Sequence, residues 1–378
     1  MPPVALTGAA VVLRDDVVMA DVVFESGMLT VIGTAPRAAV TIDCTGCHLL
    51  PGFVDLHTDN IERHLEPRPG QFGDPVRALV AHDAELAAAG ITTAFDAITL
   101  GGAGADSPRQ AAVLGVVDAL DRARRADGLL RIDHRLHVRC ELSDAALPVL
   151  MAAIRSARPP LLSLMNHTPG QGQWRNAEAF QLYYSRRHGL SEREIDVLVL
   201  ERQASAATVV PSNRAQVLSF AREAAARLAS HDDTEPRDID EAVAAGCSLS
   251  EFPTTAEAAA CASGRGLAII AGAPNLVRGN SHSGNVSVAE LARAGHFSIL
   301  ASDYRPASLI EAVFALPERC GWPLARAVHT VSLAPAHAMG FADRGDLAVG
   351  RRADVIVVKE TGYGPVVRET WAAGRRVF

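Results

Sequence analysis

The sequence predicts an α/β chain: a (β/α)8 TIM barrel with a small β-sandwich formed from both termini. Three observations predict it. Short apolar strands alternate with Ala- and Leu-rich helical stretches through the middle of the chain. Polar residues collect where those strands stop. Both ends of the chain share a different, β-rich character.

Each element follows from its local pattern. At the amino end, 4–13, 17–25, 28–32 and 40–43 read as short strands, separated by turn signals such as Ser26-Gly27. At the carboxyl end, 354–358, 366–369 and 375–378 read the same way. Residues 1–50 and 340–378 are therefore assigned to the sandwich and 51–339 to the barrel. Barrel strands are expected near 52–58, 91–98, 134–141, 160–167, 226–232, 247–252, 266–271 and 297–303. Helical periodicity fills 75–89, 109–125 and 255–262. Segment 172–225 is too long for one crossover and reads as a helical insertion, a candidate lid. A doubly wound sheet is the runner-up, but no G-x-G-x-x-G opens the first helix.

Composition narrows the function. The chain has 378 residues, 48% hydrophobic and 21% charged, with a net charge of −7. That balance disfavours a general nucleic-acid or membrane-surface binder. The start, Met-Pro-Pro-Val-Ala-Leu, lacks a charged region before an apolar run, and no stretch is long enough to span a bilayer. A cytoplasmic enzyme with a small-molecule substrate is expected, and a homo-oligomer is compatible with the sequence. The six cysteines are scattered, as reduced thiols would be. Cys44-Thr-Gly-Cys47-His48 matches a haem-attachment string, but without an export signal it reads as incidental. Of 36 basic residues only Lys359 is a lysine, so residues 1–358 offer none for a Schiff base or a carbamate bridge.

The strand ends carry the chemistry. The first barrel strand ends in His57 and Asp59, two apart and so able to aim at one point. Others end in Arg139-Cys140-Glu141, Asn166-His167, His231-Asp232-Asp233 and Ser302-Asp303-Tyr304. Asp59 or Asp232 alone would also serve as a helix N-cap. Five such ends together suit a divalent-metal site, with one or two ions; zinc, manganese and iron all accept imidazole and carboxylate. With lysine absent, Glu141 is the best candidate to bridge two ions; a mononuclear site is the alternative. The loop 272–285 supplies glycines, Arg278, Ser281, His282 and Asn285 where barrels often bind phosphate. Arg63, His64 and Arg68 in the first loop, and Arg139, add forks suited to phosphate oxygens. Arg68, Arg139, Arg278, Ser281, His282, Asn285 and Tyr304 are the candidate substrate-binding residues. Several arginines beside a metal centre point to a multiply phosphorylated substrate.

Pro51-Gly-Phe-Val-Asp-Leu-His57-Thr-Asp59-Asn60 resembles the first-strand signature of the amidohydrolase superfamily, and Gly350-Arg-Arg-Ala-Asp-Val355 its carboxyl-terminal return strand. Pro67-Arg-Pro-Gly, His137-Val-Arg-Cys-Glu-Leu, Ser230-His-Asp-Asp, Glu251-Phe-Pro-Thr-Thr, Gly272-Ala-Pro-Asn-Leu-Val-Arg-Gly, Ser281-His-Ser-Gly-Asn and Ser302-Asp-Tyr resemble the diphosphatases of the carbon–phosphorus lyase pathway within it. The resemblance runs from about residue 50 to 378. It implies metal-dependent hydrolysis of a sugar 5-triphosphate to the 5-phosphate and pyrophosphate, in phosphonate catabolism. It also implies His57, Asp59, Glu141, His167, His231 and Asp303 as metal ligands, with Asp303 taking a proton from the attacking water. The chain departs from the commoner superfamily pattern in having His-x-Asp for His-x-His, and Glu141 for the lysine carbamate. The rival within enzymes is a superfamily member acting on a cyclic amide, an N-acyl group or an exocyclic amine. The rival outside them is a silent barrel scaffold.

Overall fold

The computed structural model describes residues 2–36, 40–102, 106–126, 128–174, 190–279 and 285–378, together with Glu178, Phe180, Gln181 and Ser185. Strands β1 (Val4–Val12), β2 (Val17–Glu25), β3 (Met28–Gly33), β4 (Val40–Asp43) and β5 (His48–Pro51) begin the terminal sheet. β1 pairs antiparallel with β2 and parallel with both β4 and β5. Leu6, Val22, Phe24 and Leu49 give this sheet a core of its own, which Val355 and Trp371 from the other terminus complete.

The strand β5 departs from the sequence reading, which left 44–50 unassigned. Cys47 N donates to Cys44 O at 2.9 Å, so the C-x-x-C string is a tight turn into β5. Cys44 is buried, and that burial pushes its thiol up to about 12. His48 turns outward to Glu360, 2.7 Å away.

Eight parallel strands then follow chain order: β6 (Phe53–Thr58), β7 (Ile91–Leu100), β8 (Asp133–Glu141), β9 (Leu161–Met165), β10 (Arg227–His231), β11 (Leu249–Glu251), β12 (Ala268–Gly272) and β13 (Ile299–Ala301). All eight lie where the alternation of the sequence put them. The first and last meet through a parallel bridge between Thr58 and Asp303, with Asp303 N donating to His57 O at 2.9 Å. That bridge closes the barrel. Phe95, Leu161, Ala229, Leu249, Ile270 and Ile299 pack together as an apolar cluster of barrel-strand residues. Each large side chain fully buried there contributes about 1.5–3 kcal/mol. A second apolar layer, including Leu79, Leu86, Val113 and Leu316, joins the helices to the barrel wall.

The helix Glu192–Ala224 occupies most of the described insertion. Ser191 and Glu194 cap it reciprocally, which fixes its start. Its later part buries Asn213, Val217, Phe220 and Ala221 and serves as the crossover onto β10. Asn213 donates to Leu142 O and Asp144 O at 2.9 and 2.8 Å, tying the helix to the loop after β8. β14 (Val355–Thr361), β15 (Gly364–Ala372) and β16 (Arg375–Arg376) complete the terminal sheet, β14 pairing antiparallel with β5. β15 is longer than the sequence suggested. Among the described residues, no helix is long and apolar enough to cross a membrane.

Candidate active site

The carboxyl ends of the barrel strands bring polar side chains together. Among the described residues, three sets of ligand atoms lie within 4.8 Å of one another: His57, Asp59 and Asp303; His167, His231 and Asp232; and His57, His137 and Glu251. Asp232 is therefore part of the centre rather than a helix cap; the following helix, Pro236–Ala244, takes Glu235 as its N-cap. The helix after β6, Ile61–Leu65, takes Asn60 as its cap position, which leaves the Asp59 carboxylate free for the centre.

The buried set behind His57 orients it. Glu251 Oε1 lies 3.2 Å from His57 Nδ1, and Ser163 Oγ donates to Glu251 Oε2 at 2.5 Å. His137 Nε2 lies 2.5 Å from the same hydroxyl. A carboxylate accepting from Nδ1–H leaves the lone pair of His57 on Nε2. That Nε2 is buried and has no hydrogen-bond partner. Burial, then the charge of Arg139, hold His57 well below its ordinary range, so it is neutral. Glu251 and His137 were quoted in motifs but not named as site residues. A fuller census of strand ends would have found Glu251, which closes β11.

Glu141 joins none of the three ligand sets. Its Oε2 lies 2.7 Å from His167 Nδ1, and its Oε1 accepts from Ser143 Oγ at 2.5 Å and His167 N at 3.1 Å. The structure thus places it behind His167, as a carboxylate that aims the ring, with His167 Nε2 at 3.5 Å from Asp232. Burial alone would depress His167, but Asp232 and Glu141 hold it up at about 9. Burial, followed by the charge of Asp59, pushes Asp303 up to about 7. His231 Nδ1 and Asp232 Oδ2 are also buried and face each other at 3.2 Å. Imidazole nitrogens and carboxylate oxygens gathered in this way have the donor chemistry of a divalent-ion site.

A cavity of about 280 Å³ opens beside this centre. Arg139, Asp303, Asn275, Arg278, Asn285 and Tyr304 line it, and Arg278 Nη2 donates to Tyr304 OH at 2.6 Å. Phe252 forms an apolar wall, its ring 4.9 Å from that of His57 and 5.5 Å from that of His231. Arg68 does not line it; that residue is exposed on the first loop. Arg63 is likewise largely exposed, and His64 pairs with Glu85 at 2.8 Å. Ser281 and His282 lie outside the described residues.

Comparison with known proteins agrees with this geometry. The sequence profile of the amidohydrolase family matches residues 216–377. The chain is 35% identical, over 99% of its own length and 100% of the other's, to the alpha-D-ribose 1-methylphosphonate 5-triphosphate diphosphatase of Escherichia coli (strain K12). Its fold is similar to that of the dihydropyrimidinase from Brevibacillus agri NCHU1002, at a TM-score of 0.64 and 15% identity, covering 99% of this chain and 94% of that one. It is equally similar to an amidohydrolase from an environmental sample of the Sargasso Sea, at 0.64 and 18%, covering 100% and 93%. A closed parallel barrel with a sheet built from both termini, and an end-to-end relative at this identity, place the chain in the amidohydrolase family.

Proposed function

We propose that this hydrolase cleaves alpha-D-ribose 1-methylphosphonate 5-triphosphate to the 5-phosphate and pyrophosphate, with a bound divalent ion, in phosphonate catabolism. The observation that carries the reading is the end-to-end identity to the diphosphatase of that name. The cavity supports it, because Arg139 and Arg278 offer guanidinium forks to phosphoryl oxygens in a chain of net negative charge.

Two neighbouring sets, His167, His231 and Asp232, and His57, Asp59 and Asp303, offer the donor atoms that would hold a divalent ion. Zinc suits the donors best, and manganese or iron would also be accepted. When bound, such an ion lowers the pKa of water from 15.7 to about 7 and so supplies a nucleophile at neutral pH. Asp303 takes the proton of the attacking water; burial and the neighbouring Asp59 charge raise its affinity for that proton. Glu141 keeps His167 aimed, and Glu251 does the same for His57. Arg139 and Arg278 offset the charge that develops on the phosphoryl oxygens. The Arg278–Tyr304 contact positions one of these forks at the cavity edge. Water adds across a P–O–P linkage: its oxygen joins one phosphorus, and the bridging oxygen leaves with pyrophosphate or with the sugar phosphate.

The test is a pair of assays on the purified, metal-loaded protein. One uses a nucleoside 5-triphosphate, the other N-acyl and cyclic amides. Pyrophosphate release that disappears on chelation is expected. Turnover of the amides alone would contradict the proposal.

A further inference from the structure

Arg139 lies between two of the ligand sets. Its Nη1 is 3.5 Å from Asp59 Oδ2, and its Nη2 is 3.5 Å from His231 Nε2. One guanidinium thus touches a member of the His57/Asp59/Asp303 set and a member of the His167/His231/Asp232 set. The side chain is 16% exposed and its Nε is buried without a partner, so the group is held in the centre and not at its rim. An arginine keeps its proton under all ordinary conditions. A fixed positive charge therefore stands where a bridging group between two ions would have to sit, since paired ions lie about 3.5–4 Å apart.

The two sets differ in what they still lack. In the first, Arg139 already faces Asp59. In the second, Asp232 and Glu141 flank His167 and, among the described residues, pair with no cation other than the two imidazoles. We infer that the chain binds a single divalent ion, at His167, His231 and Asp232, and that Arg139 takes the place of the second ion beside Asp59. The inference rests on the metal-dependent reading of this centre but not on its substrate. Arg139 then supplies, as a permanent charge, the electrostatic role a second ion has in binuclear sites. The absence of a lysine for a carbamate bridge agrees with a centre that has nothing to bridge.

The test is metal content. After saturation with zinc and removal of free ion, elemental analysis of the wild-type protein is expected to give one ion per chain. Arg139→Gln, checked for a native melting profile, is expected to give two. Two ions in the wild type, or one in a folded Arg139→Gln, would overturn the inference. Should the variant fail to fold, the wild type decides alone. Loaded with manganese, it is expected to show the electron paramagnetic spectrum of an isolated ion; a spin-coupled pair would overturn the inference. Neither readout depends on turnover, so a failed pyrophosphate assay leaves this result standing, and the reverse also holds.

Discussion

Asp232, Phe252 and Asp303 are non-glycine residues at or just past the ends of β10, β11 and β13, with φ of 57°, 53° and 56°. Such backbone costs about 1–3 kcal/mol per residue and persists where surrounding contacts hold it. Here it turns two carboxylates into the centre and sets the aromatic wall beside them. Asn tolerates this backbone, so Asp303→Asn is expected to keep the melting temperature while kcat falls by about 10²–10⁴-fold. Unchanged turnover in that variant would remove Asp303 from the proton transfer. Glu141→Gln weakens the hold on His167 and is expected to lower metal affinity by about 10–100-fold, as competition with a chelator would measure. Most of the polar residues that gather at the centre were legible in the sequence because each closes an apolar run, though Asp232 read as a candidate helix cap. The supporting residues were not, because which carboxylate backs which imidazole depends on neighbouring strands. His137, Arg139 and Glu141 alternate along β8, yet they meet Glu251, His231 and His167 respectively.

Between the helix Pro75–Ala88 and the barrel wall lies a buried chain of charges. Asp83 faces Arg131 and His134; His134 also faces Asp96; Asp96 faces His82; and His82 meets Asn60, next to Asp59. Burial alone would depress His134, but Asp96 and Asp83 hold it up at about 10. Its folded value thus lies above its ordinary 6.5. The stabilisation is fully present below about pH 6.5 and is lost as pH rises toward 10. Asp83 and Asp96 are held below their ordinary range, so their contribution is lost on acidification instead. The melting temperature is expected to fall between pH 7 and 10, and His134→Asn is expected to flatten that fall. A variant with the wild-type slope would show that His134 is not the group responsible. The helix itself was legible, since Asp74 caps it and Pro75 starts it. The network was not, since it joins residues as far apart as 51 positions.

The segment that leads from the last helix to β14 is held to the barrel by buried polar contacts. Arg344, 8% exposed, donates from Nη1 to Thr93 Oγ1 on β7 and Asp133 Oδ2 on β8, both at 2.9 Å, while its guanidinium lies 4.5 Å from the Phe341 ring. Hydrogen bonds to charged groups contribute about 1.5–3 kcal/mol. Arg344→Met is expected to lower unfolding free energy by about that amount in urea titration; an unchanged midpoint would show the contacts to be neutral. At this scale the sequence was most legible, because alternation and two β-rich ends are properties of composition along the chain. The closure through Thr58 and Asp303 was beyond it, as that bridge joins the first and last barrel strands. What the whole molecule does is tested most directly by following alpha-D-ribose 1-methylphosphonate 5-triphosphate with the metal-loaded protein by phosphorus magnetic resonance. The account predicts loss of the triphosphate signals with appearance of pyrophosphate and a 5-phosphate in equal amounts. Release of orthophosphate, or a substrate left intact by a protein that turns over amides, would contradict it.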